Sequence, residues 1–173
     1  LAKIAMIDGG MWVRQLERSR LQGEELIWRY LRFAIGSKLK VVRRDPYEKT
    51  KYRQLLNLGH TLGHVFEVQY GWSHGFAVAQ GLWFALRYSQ QRNYLSEKNY
   101  QRAGELLNKL GLKYQKLAPM SSSVLQRILQ LDKKKSNSEQ VVFLFFCGFG
   151  KIKREAVNVD DLILECRRQG FVR

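Results

Sequence analysis

Asn57-Leu58-Gly59-His60-Thr61-Leu62-Gly63-His64-Val65-Phe66-Glu67, followed after Tyr70-Gly71-Trp72-Ser73 by His74-Gly75, is the stretch from which the rest of the chain is read. It holds all three histidines of the 173 residues, although residues this rare scatter unless something gathers them. Imidazole is the commonest protein ligand for metals and the usual acid or base near neutral pH. His60 and His64 are four apart, so on a helix they stack on one face about one turn apart. A zinc-protease reading fails: it needs Glu directly after the first histidine, and Thr61 stands there. What remains is a Gly-rich helix start with two stacked histidines and a third that returns from a loop ten residues after His64. Such an arrangement can converge on one ion. The competing reading, hydrogen-bonded core histidines on an apolar helix, weighs about equally for the three together.

Outward from this stretch the apolar spacing is helical. Residues 1 to 18 carry Ile4, Ile7, Met11, Val13 and Leu16 across a Gly9-Gly10 break, which predicts two short helices. From Gly23 a pattern through Leu26, Ile27, Tyr30, Leu31, Ala34, Ile35, Leu39 and Val42 predicts a long helix stopped by Asp45-Pro46. A charged loop and a histidine helix from about Arg53 to Gln69 follow. Helices are expected over 75 to 92 and 96 to 110, the second capped by Ser96 and closed at Gly111. Ser121 to Ser123 cap a further one ending near Leu131. Val141 to Phe146, bounded by Gly148 and Gly150 and followed by alternation from Ile152 to Val157, reads as a buried hairpin. Asp160 is expected to cap a last helix. The fold class is therefore mainly α, a multi-helix domain with one small β-hairpin, spanning 1–173 as a single domain.

Composition narrows the function classes. Hydrophobic residues make up 45% and charged residues 26%, ordinary for a globular protein. Cys147 and Cys166 are too few for a disulfide scaffold or zinc knuckle, which fits a reducing, cytoplasmic setting. No run of about 18 apolar residues reads as a membrane span. Thirty Lys and Arg against fifteen Asp and Glu give +15, which calls for anionic partners. Three sources of that charge stay open: a nucleic-acid surface, a pocket for a phosphorylated acid, or an acidic complement elsewhere in a longer protein. Trp28-Arg29-Tyr30-Leu31-Arg32-Phe33 interleaves rings and guanidiniums as a stacking surface does. The same spacing fits a helix with a buried stripe better, and no nucleic-acid motif is visible.

Asn-Leu-Gly-His-Thr-Leu-Gly-His, then a short loop and His-Gly-x-Ala-Val-Ala-x-Gly, resembles the metal-binding core of 3-dehydroquinate synthase and the related sugar-phosphate cyclases. The resemblance extends over nearly the whole chain. It implies that His60 and His74 bind a catalytic zinc or other divalent metal and that His64 serves proton transfer. Arg53 and Asn57 match substrate-contacting positions. Lys38 matches the Lys of Lys-x-x-Val-Val-x-x-Asp, which ends here at Asp45, and Asp132-Lys133-Lys134 matches an Asp-Lys-Lys ahead of the hairpin, adding Lys38, Lys133 and Lys134 to the substrate side. Lys3 matches the Lys of an Ala-Glu-x-x-Lys helix and is a further catalytic candidate. A phosphate and a carboxylate on one substrate independently call for such Arg and Lys side chains.

The resemblance further implies a lyase of the shikimate pathway, acting on a small phosphorylated keto acid, dimeric when full length. NAD would be held by a Rossmann domain preceding this segment; no strand followed by Gly-x-Gly-x-x-Gly occurs in these 173 residues. The sequence thus reads as the C-terminal half of such an enzyme, inactive when isolated. Two departures stand out. The third zinc ligand, a Glu three residues before the match to Lys3, would fall just ahead of Leu1; a register placing Lys3 itself there aligns the following residues less well. Phe76 stands where the family usually has Glu after His-Gly. A sibling cyclase or a metal-dependent polyol dehydrogenase of the same architecture is the rival within chemistry, and a non-catalytic basic scaffold the rival outside it.

Overall fold

A computed structural model describes residues 1–131 and 139–173, apart from the side chains of 130 and 131. The described residues form eight α-helices: α1 (Ala2–Asp8), α2 (Met11–Arg18), α3 (Gly23–Arg44), α4 (His60–Tyr70), α5 (His74–Gln91), α6 (Glu97–Lys109), α7 (Ser122–Leu131) and α8 (Val159–Arg168). One antiparallel hairpin, β1 (Gln140–Gly148) with β2 (Lys151–Asn158), lies between α7 and α8. This is the helical class with a single small hairpin that the sequence predicts.

The middle of the fold is α5, because its sequence is apolar on every side. Ala77 through Leu86, together with Tyr88 and Ser89, are all buried, as a helix without a polar face must be. Around it pack α4, α6 and β1, and Phe84 meets Phe143 of β1 and Phe171, which follows α8, at ring-centroid distances of 6.0 and 5.8 Å. The polar side chains on one face of α5 find backbone partners. Gln80 Nε2 donates to the Lys113 carbonyl and its Oε1 accepts from the Gln115 amide, while Trp83 Nε1 donates to the Leu112 carbonyl. Segment 112–115 is thereby laced to one face of α5.

Four expectations need correction. The histidine helix does not run unbroken from Arg53: a short 3-10 helix covers Arg53–Asn57, and α4 starts only at His60. Gly59 between them has φ +79°, a left-handed turn that ends any α-helix and that glycine adopts freely. His74 opens α5 instead of lying in a loop. Asn158 stands at the start of α8, with Asp160 and Asp161 inside its first turn where carboxylates suit the helix dipole. The hairpin is buried only on its first strand: Phe143 to Phe146 are covered on both faces, whereas β2 buries only Val157.

The aromatic run of α3 also differs from a buried stripe. Leu26, Ala34, Ser37 and Val41 form the inward line, Trp28 is 66% exposed, and Phe33 stacks on Trp12 at 6.3 Å. The broad hydrophobic face is shared out between core and surface because a 22-residue helix outruns the elements that cover it.

Candidate functional site

The site begins with glycines that let two helices touch. A Cβ on Gly81 of α5 would fall 1.9 Å from the Gly59 carbonyl oxygen, and one on Gly63 of α4 would fall 3.1 Å from the Val78 Cα. Gly59 faces Leu82 and Gly63 faces Val78, so the two helices run antiparallel in direct backbone contact. The same Gly59 carbonyl accepts the Gly63 amide at 3.0 Å, fixing the first turn of α4. The glycines of Asn-Leu-Gly-His-Thr-Leu-Gly-His are therefore packing residues that bring the histidines of α4 against the start of α5.

All three imidazoles converge there. Ring centroids lie 5.7 Å apart for His60 and His64, 5.3 Å for His60 and His74, and 6.0 Å for His64 and His74. His60 Nδ1 lies 3.4 Å from the Leu58 carbonyl and His74 Nδ1 lies 3.0 Å from Glu67 Oε2. With Nδ1–H donated to those acceptors, each ring keeps Nε2 as the lone-pair nitrogen, the arrangement of metal-ligating histidines held by outer partners. Side chains of His64 and His74 are 46% and 56% exposed, so the cluster opens to solvent.

One lysine joins the cluster, and the charge of a second acts on it. Lys3 Nζ is 3.4 Å from His60 Nε2, and the Lys38 charge acts on Lys3. Burial, reinforced by Lys38, lowers the Lys3 amine to about 8. Burial, with the Lys3 cation next, lowers His60 to about 4, which keeps that imidazole neutral at physiological pH. Neutral imidazole is the form that ligates a metal.

As a metal centre the set is partial. Among the described residues no three His, Cys, Asp or Glu side chains are arranged to hold an ion, and a catalytic zinc takes three protein ligands. The donor chemistry of His60 and His74 fits two of the three.

The other predicted residues fall into two groups. Arg53 and Asn57 lie on the 3-10 helix leading into α4, with the Arg53 guanidinium donating to the Pro46 carbonyl at 3.0 Å and Asn57 exposed. Lys133 and Lys134 lie outside the described residues. Phe76, in the first turn of α5, packs edge-on against Trp72 at 4.7 Å. Glu67 was not singled out from the sequence, yet its carboxylate reaches His74 at 3.0 Å and His64 at 3.8 Å. The signal was available: Glu67 is three residues after His64 on the same helical face.

The fold is shared with sugar-phosphate cyclases of known structure. 2-Deoxy-scyllo-inosose synthase, solved with carbaglucose-6-phosphate, NAD+ and Co2+, superposes over 96% of this chain and 48% of its own at TM-score 0.76 and 23% identity. ValA, a 2-epi-5-epi-valiolone synthase from Streptomyces hygroscopicus subsp. jinggangensis 5008 with NAD+ and Zn2+ bound, does so over 97% and 48% at TM-score 0.70 and 16% identity. Residues 1–135 match the family described as 3-dehydroquinate synthase C-terminal, and the chain belongs to that family. Among its relatives, the 3-dehydroquinate synthase of Sulfurimonas denitrificans is 34% identical over 155 residues, 88% of this chain and 44% of the relative. That of Pyrobaculum islandicum is 38% identical over 112 residues, 61% of this chain and 32% of the relative. The chain spans less than half the length of either.

Proposed function

We propose that this chain is the metal- and substrate-binding part of a 3-dehydroquinate synthase-like lyase, which converts 3-deoxy-arabino-heptulosonate 7-phosphate to 3-dehydroquinate with release of phosphate. The observation that carries the reading is the convergence of His60, His64, His74 and Lys3, drawn from α1, α4 and α5, on one solvent-open cluster. Like charges keep apart unless something holds them, and an anionic substrate supplies the reason for a lysine beside three imidazoles with the charge of Lys38 acting on it.

His60 and His74 would hold a zinc or another divalent ion through Nε2, with a third ligand from outside the described residues. When bound, the ion supplies Lewis-acid polarisation of a substrate hydroxyl, and NAD, held by a domain outside these 173 residues, supplies reversible hydride acceptance. Lys3 and Lys38 attract and orient the carboxylate and phosphate. Arg53 and Asn57, on the 3-10 helix leading into α4, join them on the substrate side, and so do Lys133 and Lys134. His64, exposed and beside Glu67, moves a proton to or from the substrate at its free ring nitrogen. Cytoplasmic location and a full-length homodimer accompany this reading; among the described residues no helix is long and apolar enough to cross a membrane.

A second reading is favoured by Phe76. With a ring packed on Trp72 where an acid is expected, the cluster suits a sibling sugar-phosphate cyclase acting on a substrate with fewer polar groups near that edge. Cobalt(II) titration of the chain tests the metal claim common to both. Absorption bands of imidazole-bound cobalt that vanish in His60→Ala and His74→Ala are expected; bands unchanged by both substitutions would overturn it.

A further inference from the structure

A second, separate concavity lies between the end of α3, the loop leading to the 3-10 helix, α1 and the hairpin. It encloses about 750 Å³, within the usual range for small-molecule sites. Arg44, Lys51 and Arg154 line it, no carboxylate does, and its apolar wall is Ile7, Leu55 and Ile152, with the Tyr52 ring alongside. Three cations gathered without a counter-ion repel one another.

The cations are held ready. Arg44 lies over Tyr52, its guanidinium carbon 4.1 Å from the ring centroid. Arg154 Nε donates to Gln54 Oε1 at 2.9 Å, which tethers that guanidinium through Nε and leaves its terminal nitrogens for another acceptor. Lys51 has φ +63°, a left-handed conformation a non-glycine residue adopts only under constraint. The constraint is visible. Asp45, 2% exposed, accepts the Thr50 amide at 3.2 Å and the Arg53 amide at 3.1 Å, pinning the loop on both sides of Lys51.

We propose that this groove binds an organic phosphate carrying a flat or apolar group. Paired guanidiniums fork a phosphate's oxygens, and the Tyr52 ring with the isoleucine wall receives the organic body. Among the described residues no hydrogen bond, ion pair or ring contact joins the lining residues to the three imidazoles. The groove starts one turn beyond Lys3 on α1, at Ile7, so it is a neighbouring site and does not depend on the function proposed above.

Isothermal titration with phenyl phosphate at fixed ionic strength, alongside inorganic phosphate and sulfate, tests this. Phenyl phosphate should bind saturably and more tightly than either inorganic ion. Lys51→Gly, which removes the amine at a backbone angle glycine prefers, and Arg154→Ala should each weaken it by about tenfold, the loss of one charge-assisted contact. His60→Ala/His74→Ala should leave the affinity within about twofold, less than half of one such contact. Circular dichroism confirms that each variant is folded. Absent saturation, equal binding of all three anions, or loss of binding in the histidine variant would each overturn the proposal.

Discussion

Gly81→Ala should destabilise the protein and disturb the histidine cluster, although alanine is the better helix former. Propensity alone predicts a gain of about 1 kcal/mol for the change inside a helix. The structure reverses that sign. The new Cβ would stand 1.9 Å from the Gly59 carbonyl oxygen and 2.9 Å from the Gly63 nitrogen, both backbone atoms that no rotamer change can move. Restoring ordinary contact requires α4 and α5 to part by roughly 1.5 Å, and overpacking of this kind costs about 1–3 kcal/mol. With backbone on both sides the upper end applies, so after the propensity gain is set against it a net loss of about 2 kcal/mol, or about 4–8 °C in melting temperature for a chain of this size, is expected. Parting the helices also moves His60 away from His74, so cobalt(II) affinity should fall with stability. Thermal melts followed by circular dichroism, paired with cobalt titration of the folded variant, measure both. A variant as stable as the parent, or more stable, would refute the close approach of the two helices.

Gly36→Ala is the sign control: a Cβ there meets nothing within 4 Å on α3, so a gain of about 0.5–1 kcal/mol is expected in chemical denaturation. Glu67→Gln keeps the shape of the side chain but weakens its hold on His74 Nδ1; metal affinity should drop by about tenfold while the melting temperature of the metal-free chain barely changes. Asp45→Asn should matter only away from acid. Burial by itself raises the Asp45 carboxyl, but the amides of Arg53 and Thr50 outweigh it and leave the group below its ordinary value. A depressed carboxylate contributes stability above the unfolded value of about 4 and loses it as pH falls through the folded one. The melting-temperature gap between parent and variant should therefore be present at neutral pH and close on acidification below about pH 4. Finally, the 173-residue chain assayed alone should form no 3-dehydroquinate above background by absorbance; turnover would refute its reading as a partial enzyme.

The long regular elements were legible because their signals are local. The Gly9-Gly10 break, the Asp45-Pro46 stop, the Ser96 cap and the turn at Gly148 to Gly150 each act within a few residues, and each element ends where they lie. The start of α4 was not, because the apolar spacing of Leu55, Leu56, Leu58 and Leu62 continues smoothly through Gly59. Only the approach of α5 shows why that glycine is left-handed. The exposure of Trp28 was hidden for a related reason: amphipathic spacing says that a face exists, while what covers it depends on other elements. At the site, the clustering of three histidines in sequence is matched by their clustering in space, and Lys3, which only the resemblance singles out, lies beside His60. The turn of Arg53 back onto Pro46 was not readable, since a backbone carbonyl carries no residue-type signal. Nor was the lacing of the 46–53 loop to the Asp45 carboxylate, where the sequence shows only a helix stop.

Among the described residues segment 112–115 has no neighbouring strand, yet its backbone is read by side chains of α5 as a strand would read it: Trp83 takes the carbonyl of Leu112, and Gln80 takes the carbonyl of Lys113 and the amide of Gln115. Those side chains leave the most deeply covered helix of the fold, so the segment cannot lift without breaking bonds anchored at its centre. It shares the cooperative unit of α5 despite being an irregular connection near the surface. Proteases and solvent hydrogens that sample ordinary loops will reach the Gln115 amide only through openings that also loosen α5.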